Sequence, residues 1–106
     1  MKPPILVNEQ GNIMVFESPK DAELYLEPID VQNNEYVAYD SEGRLLQLIA
    51  TTPQVTIKID ESEPQHSSEL HELLTEFLIR TGVPENELLD ASLQELVSRS
   101  LKYKIK

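Results

Sequence analysis

The first part of the chain alternates short strand-like runs with turn residues, a pattern that predicts a hairpin. The runs at residues 5–7 and 12–16 flank Asn8-Glu9-Gln10-Gly11, a turn sequence whose glycine accepts a positive φ. Apolar side chains dominate both runs, so we expect them to pair and to contribute to the core.

A short helix is predicted over residues 19–26. Ser18 is a favourable N-cap residue, and Pro19 suits the first helical position. We expect its apolar face to comprise Ala22, Leu24, Tyr25 and Leu26. Pro28 is expected to end the helix, because the residue before a proline is pushed out of the helical region. Residues 29–34 are interpreted as a polar connection.

Three further strand-like runs occupy residues 35–40, 44–49 and 55–59. Asp40-Ser41-Glu42-Gly43 is a turn sequence and predicts a second hairpin between the first two of these runs. In the third run, apolar and polar residues alternate, as in a strand with one buried face.

The spacing of apolar residues becomes helical after residue 66. A helix is predicted from Ser67, with Gly82 at its C-terminal cap, because the apolar positions are Leu70, Leu73, Leu74, Phe77 and Leu78. Residues 85–89 form at most one turn. Ser92-Leu93-Gln94-Glu95 has the form of a capping box and predicts a last helix.

This order of elements predicts a single α+β domain over residues 1–106. We expect an antiparallel sheet of four to five strands, with one short helix and two C-terminal helices packed on one face. Hairpin-length connections between the middle strands argue against a parallel βαβ arrangement. A chain of 106 residues also has the usual size of one domain with one core.

The charge of the chain restricts its partners. Nineteen acidic against nine basic residues give a net charge of −10. This balance argues against nucleic acid and anionic membranes, which bind lysine and arginine. No apolar run approaches a membrane span, and residues 5–7 are too short for a signal peptide, so a cytoplasmic protein is expected. The chain has no cysteine, which excludes disulfides and thiolate sites.

Candidate catalytic and metal sites have simpler structural interpretations. His66 and His71 are five residues apart and cannot chelate one ion from one side of a helix. Ser67 and Ser68 precede a helix, where capping explains them. Three glycines cannot build a phosphate loop. We therefore expect no metal, no cofactor, no catalytic residue and no enzymatic activity; an enzyme that uses scattered carboxylates is the open alternative.

The acidic residues suggest a surface for a partner. Glu69, Glu72 and Glu76 recur at three- and four-residue spacing and form one stripe on the predicted helix. The hypothesis is that carboxylates steer and bind a basic protein while Tyr36 or Tyr39 anchors the interface. Its predicted partner-binding residues are Asp60, Glu61, Glu63, Glu69, Glu72, Glu76, Tyr36 and Tyr39. The alternative is that this charge only keeps the protein soluble.

Residues 13–46 resemble small bacterial proteins of uncharacterised function. The resemblance lies in Val15-Phe16-Glu17-Ser18, in residues 22–31 and in residues 35–45. Some of those proteins look like immunity partners of secreted toxins. The resemblance therefore implies a non-catalytic protein that neutralises a basic partner. The alternative is a structural or self-associating accessory domain, with exposed apolar residues along the last helix. The expected oligomeric state is accordingly a monomer or a homodimer.

Overall fold

A computed structural model describes residues 1–105 and contains one five-stranded sheet of order β2-β1-β3-β4-β5. All neighbouring strands are antiparallel. The strands are β1 (Ile5–Glu9), β2 (Asn12–Phe16), β3 (Val37–Tyr39), β4 (Leu45–Thr51) and β5 (Gln54–Ile59). The α+β class, the antiparallel sheet and both hairpins are confirmed.

Four helices accompany the sheet, and most of their ends follow the capping residues of the sequence. They are α1 (Pro19–Tyr25), α2 (Pro28–Gln32), α3 (Ser67–Arg80) and α4 (Leu93–Ser100), with short 3-10 turns at Glu85–Glu87 and Leu101–Tyr103. The side chain of Ser18 accepts from the Asp21 amide at 3.2 Å, and that of Ser92 accepts from the Glu95 amide at 3.1 Å. Gly82 takes a φ of +107° directly after α3, as a C-terminal cap requires.

The interpretation of residues 29–34 as a connection is wrong, because α2 begins at Pro28 and continues to Gln32. Pro28 breaks the chain direction after α1 but occupies the first turn of α2, where its missing N–H is no loss. Pro28 therefore marks the boundary between two helices, whereas the sequence predicted only the end of the first.

The helices cover both faces of the sheet, whereas the sequence predicted one. Leu6, Val15 and Tyr39 share a buried cluster with residues of α3 and α4. Ile5 and Val7 belong to a second cluster, which includes Ala22 and Leu26 from the region of α1. The reason is visible in β1, whose apolar residues are consecutive rather than alternating, as in a strand that is buried on both sides.

The turn between β3 and β4 holds the start of α3. Asp40 is fully buried and its carboxylate accepts from the amides of Lys2, Glu42 and Arg44, and also from the Arg44 guanidinium at 2.7 Å. Ser67 donates its hydroxyl to the Glu42 carbonyl at 2.6 Å. These bonds fix the first residue of α3 against the turn and so set the position of the helix on the sheet.

The two outer edges of the sheet are closed in different ways. At β2, the Ile105 amide donates to the Val15 carbonyl at 2.8 Å, and Lys104 forms a parallel bridge with Val15. At β5, the Ile57 amide donates to a side chain, the Glu23 carboxylate of α1, at 2.7 Å. Within residues 1–105, no helix has the length and apolar character that crossing a bilayer requires.

Candidate acidic interface

The acidic stripe on α3 lies on the side of the helix that faces β3. Glu69, Glu72 and Glu76 are all exposed, while Leu70, Leu74, Phe77 and Leu78 of the same helix are buried. The Tyr39 hydroxyl donates to Glu69 Oε2 at 2.8 Å, which locates the stripe above β3. His71 lies on the opposite flank, where its Nε2 is 2.8 Å from the Ala91 carbonyl before α4.

An uncovered part of the sheet lies next to this stripe. Leu45 packs into the cluster beneath α3, so Gln47 and Ile49, two and four residues further along β4, lie on the same face. Their partners on β5 are Lys58 and Thr56. None of these four residues is buried. β4 and β5 therefore extend beyond α3 and leave a ledge beside the carboxylates.

The stripe is not neutralised within the part of the chain that the structure describes. The ion pairs found there use Lys2, Arg44, His66, Arg99 and Lys104. Their acidic partners are Asp40, Glu42, Glu61, Glu87 and Glu17, so none of them involves Glu69, Glu72 or Glu76. Asp60 and Glu63 are likewise exposed and take no part in these pairs. Five of the six predicted carboxylates thus remain accessible to a partner.

Glu61 differs from the other five carboxylates because it is only partly exposed and binds two backbone amides and a histidine of its own chain. It accepts from the Leu45 amide at 2.8 Å and from the Gln65 amide at 3.3 Å, and lies 2.8 Å from His66 Nδ1. The hydrogen bond from His66 lowers the pKa of Glu61, and the same bond raises the pKa of His66. Glu61 therefore fastens the segment before α3 to the start of β4.

The two tyrosines do not offer a free aromatic ring beside the stripe. Tyr39 is 2% exposed and belongs to the core, and its burial together with the Glu69 bond raises the pKa of its hydroxyl. Tyr36 packs against the cluster on the opposite face, and its hydroxyl donates to Asp30 at 3.0 Å. Tyr39 thus holds the Glu69 carboxylate from below, through its hydroxyl, and Tyr36 lies on the other side of the sheet.

Sequence reasoning missed an exposed apolar group around α1 and α2. Leu24 is 77% exposed, Tyr25 54% and Ile29 60%, although the first two were predicted to share the core face of the helix with Ala22. Only Ala22 is buried within α1, because a helix of seven residues presents one narrow row to the sheet. A groove of about 570 Å³ lies here, lined by Phe16, Glu17, Asp21, Leu24, Tyr25, Lys104 and Ile105.

The candidate catalytic residues of the sequence are engaged in structural contacts. The Ser67 hydroxyl binds the Glu42 carbonyl, and the His71 ring lies against the Ala91 carbonyl on another side of α3. Among residues 1–105, no three His, Cys, Asp or Glu side chains are grouped as a metal site.

Comparison with known proteins identifies no relative of this chain. No protein-family model matches the chain, and no curated protein and no solved structure is significantly similar to it.

Proposed function

We propose that the protein is an acidic binding module that neutralises a basic partner protein, in the manner of a toxin immunity protein, and that it has no catalytic activity. The observation that carries this proposal is the stripe of Glu69, Glu72 and Glu76, which is exposed along one flank of a 14-residue helix and takes part in none of the ion pairs within residues 1–105. A row of like charges at i, i+3 and i+7 destabilises its own helix slightly. Binding a cationic surface offsets that cost.

The proposed contacts are exposed carboxylates on α3 and in the segment before it. Glu69 and Glu76 are separated by about 10 Å along the helix, from the usual rise of 1.5 Å per residue. Asp60 and Glu63 precede the helix and are also exposed. We place lysine or arginine side chains of the partner opposite these carboxylates, with the uncovered ledge of β4 and β5 receiving the adjoining partner surface. Electrostatic steering would then govern the association rate.

Charge reversal at mid-helix positions tests this proposal. The variant Glu72→Lys/Glu76→Lys is compared with Glu85→Lys/Asp90→Lys, which changes the net charge equally at exposed positions outside α3. Each protein is used to capture partners from the lysate of its source organism at low salt, followed by elution with a salt step. The wild type and the control variant should retain one basic protein in stoichiometric amount, and the stripe variant should lose it.

Kinetics with the captured partner complete the test. We expect the stripe variant to associate about tenfold more slowly at low salt, with a weaker salt dependence. Equal association rates for the stripe and control variants would contradict the assignment of the partner surface to α3.

A self-associating accessory domain is the second candidate, and the exposed apolar group supports it. In α4, Leu96 and Val97 are buried, so a dimer surface along the last helix would have only Leu93 and the exposed Leu101 available. Leu24, Tyr25 and Ile29 would provide it instead. Sedimentation at several salt concentrations distinguishes the two functions, because an apolar dimer persists at high salt and is dissociated by Leu24→Glu.

A further inference from the structure

The outer edge of β5, beside α1, is a second candidate interface. The Ile57 amide points away from β4, and alternation along a strand gives Val55 and Ile59 the same outward direction. Of these three amides, that of Ile57 is bonded to the Glu23 carboxylate at 2.7 Å. A side-chain oxygen thus occupies the place that a carbonyl of an adjacent strand would take.

A groove runs beside this edge, between α1 and β5. Its volume is about 280 Å³, and it is lined by Lys20, Glu23, Leu24, Leu26, Pro53, Gln54, Val55 and Thr56. Leu24 borders the groove with 77% of its surface exposed, and Ile59, at the end of the same strand, is 47% exposed. An edge strand beside a helix with exposed apolar residues is the arrangement that accepts an extended peptide as an added strand.

We propose that the β5 edge and α1 bind an extended, lysine- or arginine-bearing segment of a partner protein as a sixth strand. A carbonyl of that segment accepts from the Ile57 amide in place of Glu23. The released Glu23 carboxylate pairs with the cation of the segment, and an apolar side chain of the segment covers Leu24. Glu23 is a partly exposed side chain of α1, so its carboxylate can leave the Ile57 amide by a change of rotamer.

Charge argues for a basic segment rather than a second copy of this chain. Two copies that paired through β5 about a two-fold axis near Ile57 would bring their Glu23 carboxylates together, and both copies carry a charge of −10. A strand that carries lysine or arginine is attracted instead, because its cation can pair with the Glu23 carboxylate after the hydrogen bond from the Ile57 amide is broken. The Glu23 carboxylate and the net charge therefore disfavour self-pairing and favour a basic segment, although Lys20 also lines the groove.

Amide NMR with short synthetic peptides tests the proposal on the full chain. An alternating lysine-valine peptide should shift the amide signals of Val55, Ile57 and Ile59 and slow the hydrogen exchange of the outward amides. An alternating glutamate-valine peptide, and the lysine-valine peptide with methylated backbone nitrogens, should bind at least about threefold more weakly, because the first repels Glu23 and the second disrupts strand pairing.

Glu23→Gln identifies the role of the carboxylate, since it keeps an acceptor for Ile57 and removes the charge. This variant should bind the lysine-valine peptide about threefold more weakly, while Glu27→Gln, an exposed position outside the groove, should bind it as the wild type does. The absence of β5 shifts at millimolar peptide, or equal binding of the lysine-valine and glutamate-valine peptides, would each overturn the proposal. Charge reversal on α3 leaves these β5 signals unaffected, so the two proposals fail separately.

Discussion

The hydroxyl of Tyr39 and the carboxylate of Glu69 are joined by a hydrogen bond of 2.8 Å across 30 residues of sequence. Tyr39 is a buried residue of β3, while Glu69 lies in the exposed first turn of α3. The bond therefore connects the core to the acidic stripe and fixes the orientation of one carboxylate. Glu72 and Glu76 have no such support among the described residues and project freely from the helix.

Tyr39→Phe should remove this connection without changing the packing volume of the ring. We expect the free energy of unfolding to fall by about 1 kcal/mol, the usual net value of one hydrogen bond. Urea denaturation measures the change. Glu69→Gln serves as the partner variant, and the double variant should lose less than the sum of the two single losses, because both remove the same bond. Strict additivity would show that the bond contributes nothing.

Asp40→Asn should be among the more destabilising single changes, at about 3 kcal/mol, because Arg44 and the turn amides lose a buried negative partner. Burial raises the pKa of Asp40, but the donors from Arg44, Lys2 and Glu42 outweigh it and hold the pKa below its usual value. A depressed carboxyl pKa stabilises the fold above the unfolded value of about 3.9, and this stability is lost as the pH falls through the folded pKa.

Denaturant titrations at several acidic pH values measure this effect. The wild type should lose stability below about pH 4 more steeply than Asp40→Asn, which has no carboxyl to protonate at this position. Parallel curves for the two proteins would assign the acid sensitivity to other groups.

His66 should titrate above its usual pKa, because its hydrogen bond to Glu61 favours the protonated ring. A raised histidine pKa stabilises the fold below the unfolded value of about 6.5, and this contribution is lost as the pH rises through the folded pKa. NMR titration of the ring protons measures the pKa. In Glu61→Gln the pKa should fall towards the usual value, and an unchanged pKa would show that Glu61 is not its cause.

Gly43→Ala should destabilise the protein far more than Gly82→Ala. Both glycines have positive φ, +85° and +107°, which costs an alanine about 1 kcal/mol in either place. A Cβ at position 43 would also lie 2.4 Å from the Ser67 Cα, whereas position 82 has nothing within 4 Å. We expect an additional loss of about 2 kcal/mol for Gly43→Ala, measured by thermal or urea unfolding. Equal losses would mean that the turn and α3 separate readily.

Local signals predicted most elements of this fold. Ser18 and Ser92 begin their helices and Gly82 follows the end of α3 as expected, since caps depend on a few neighbouring residues. The helix at Pro28 was missed because it has five residues and no apolar period to recognise. The side of the sheet that each helix covers was also missed, because the placement of α1 depends on contacts with distant strands.

The acidic stripe was predictable for the same local reason, since helical spacing alone places its residues on one flank. The roles of Glu61 and Tyr39 were not. Glu61 binds the Leu45 amide across 16 residues, and Tyr39 binds Glu69 across 30, so each contact forms only when the chain has folded. The contact between Glu23 and Ile57 spans 34 residues and likewise could not be predicted from neighbouring residues.

The position of β1 between two cores determines how freely the sequence can change. Ile5 and Val7 contact one core and Leu6 the other, so no position in this stretch faces water. Randomising residues 5–7 should recover almost only aliphatic residues, whereas Gln54, Thr56 and Lys58 of β5 should tolerate many polar replacements. We therefore expect the strand that joins the two cores to be the part of the molecule that tolerates substitution least.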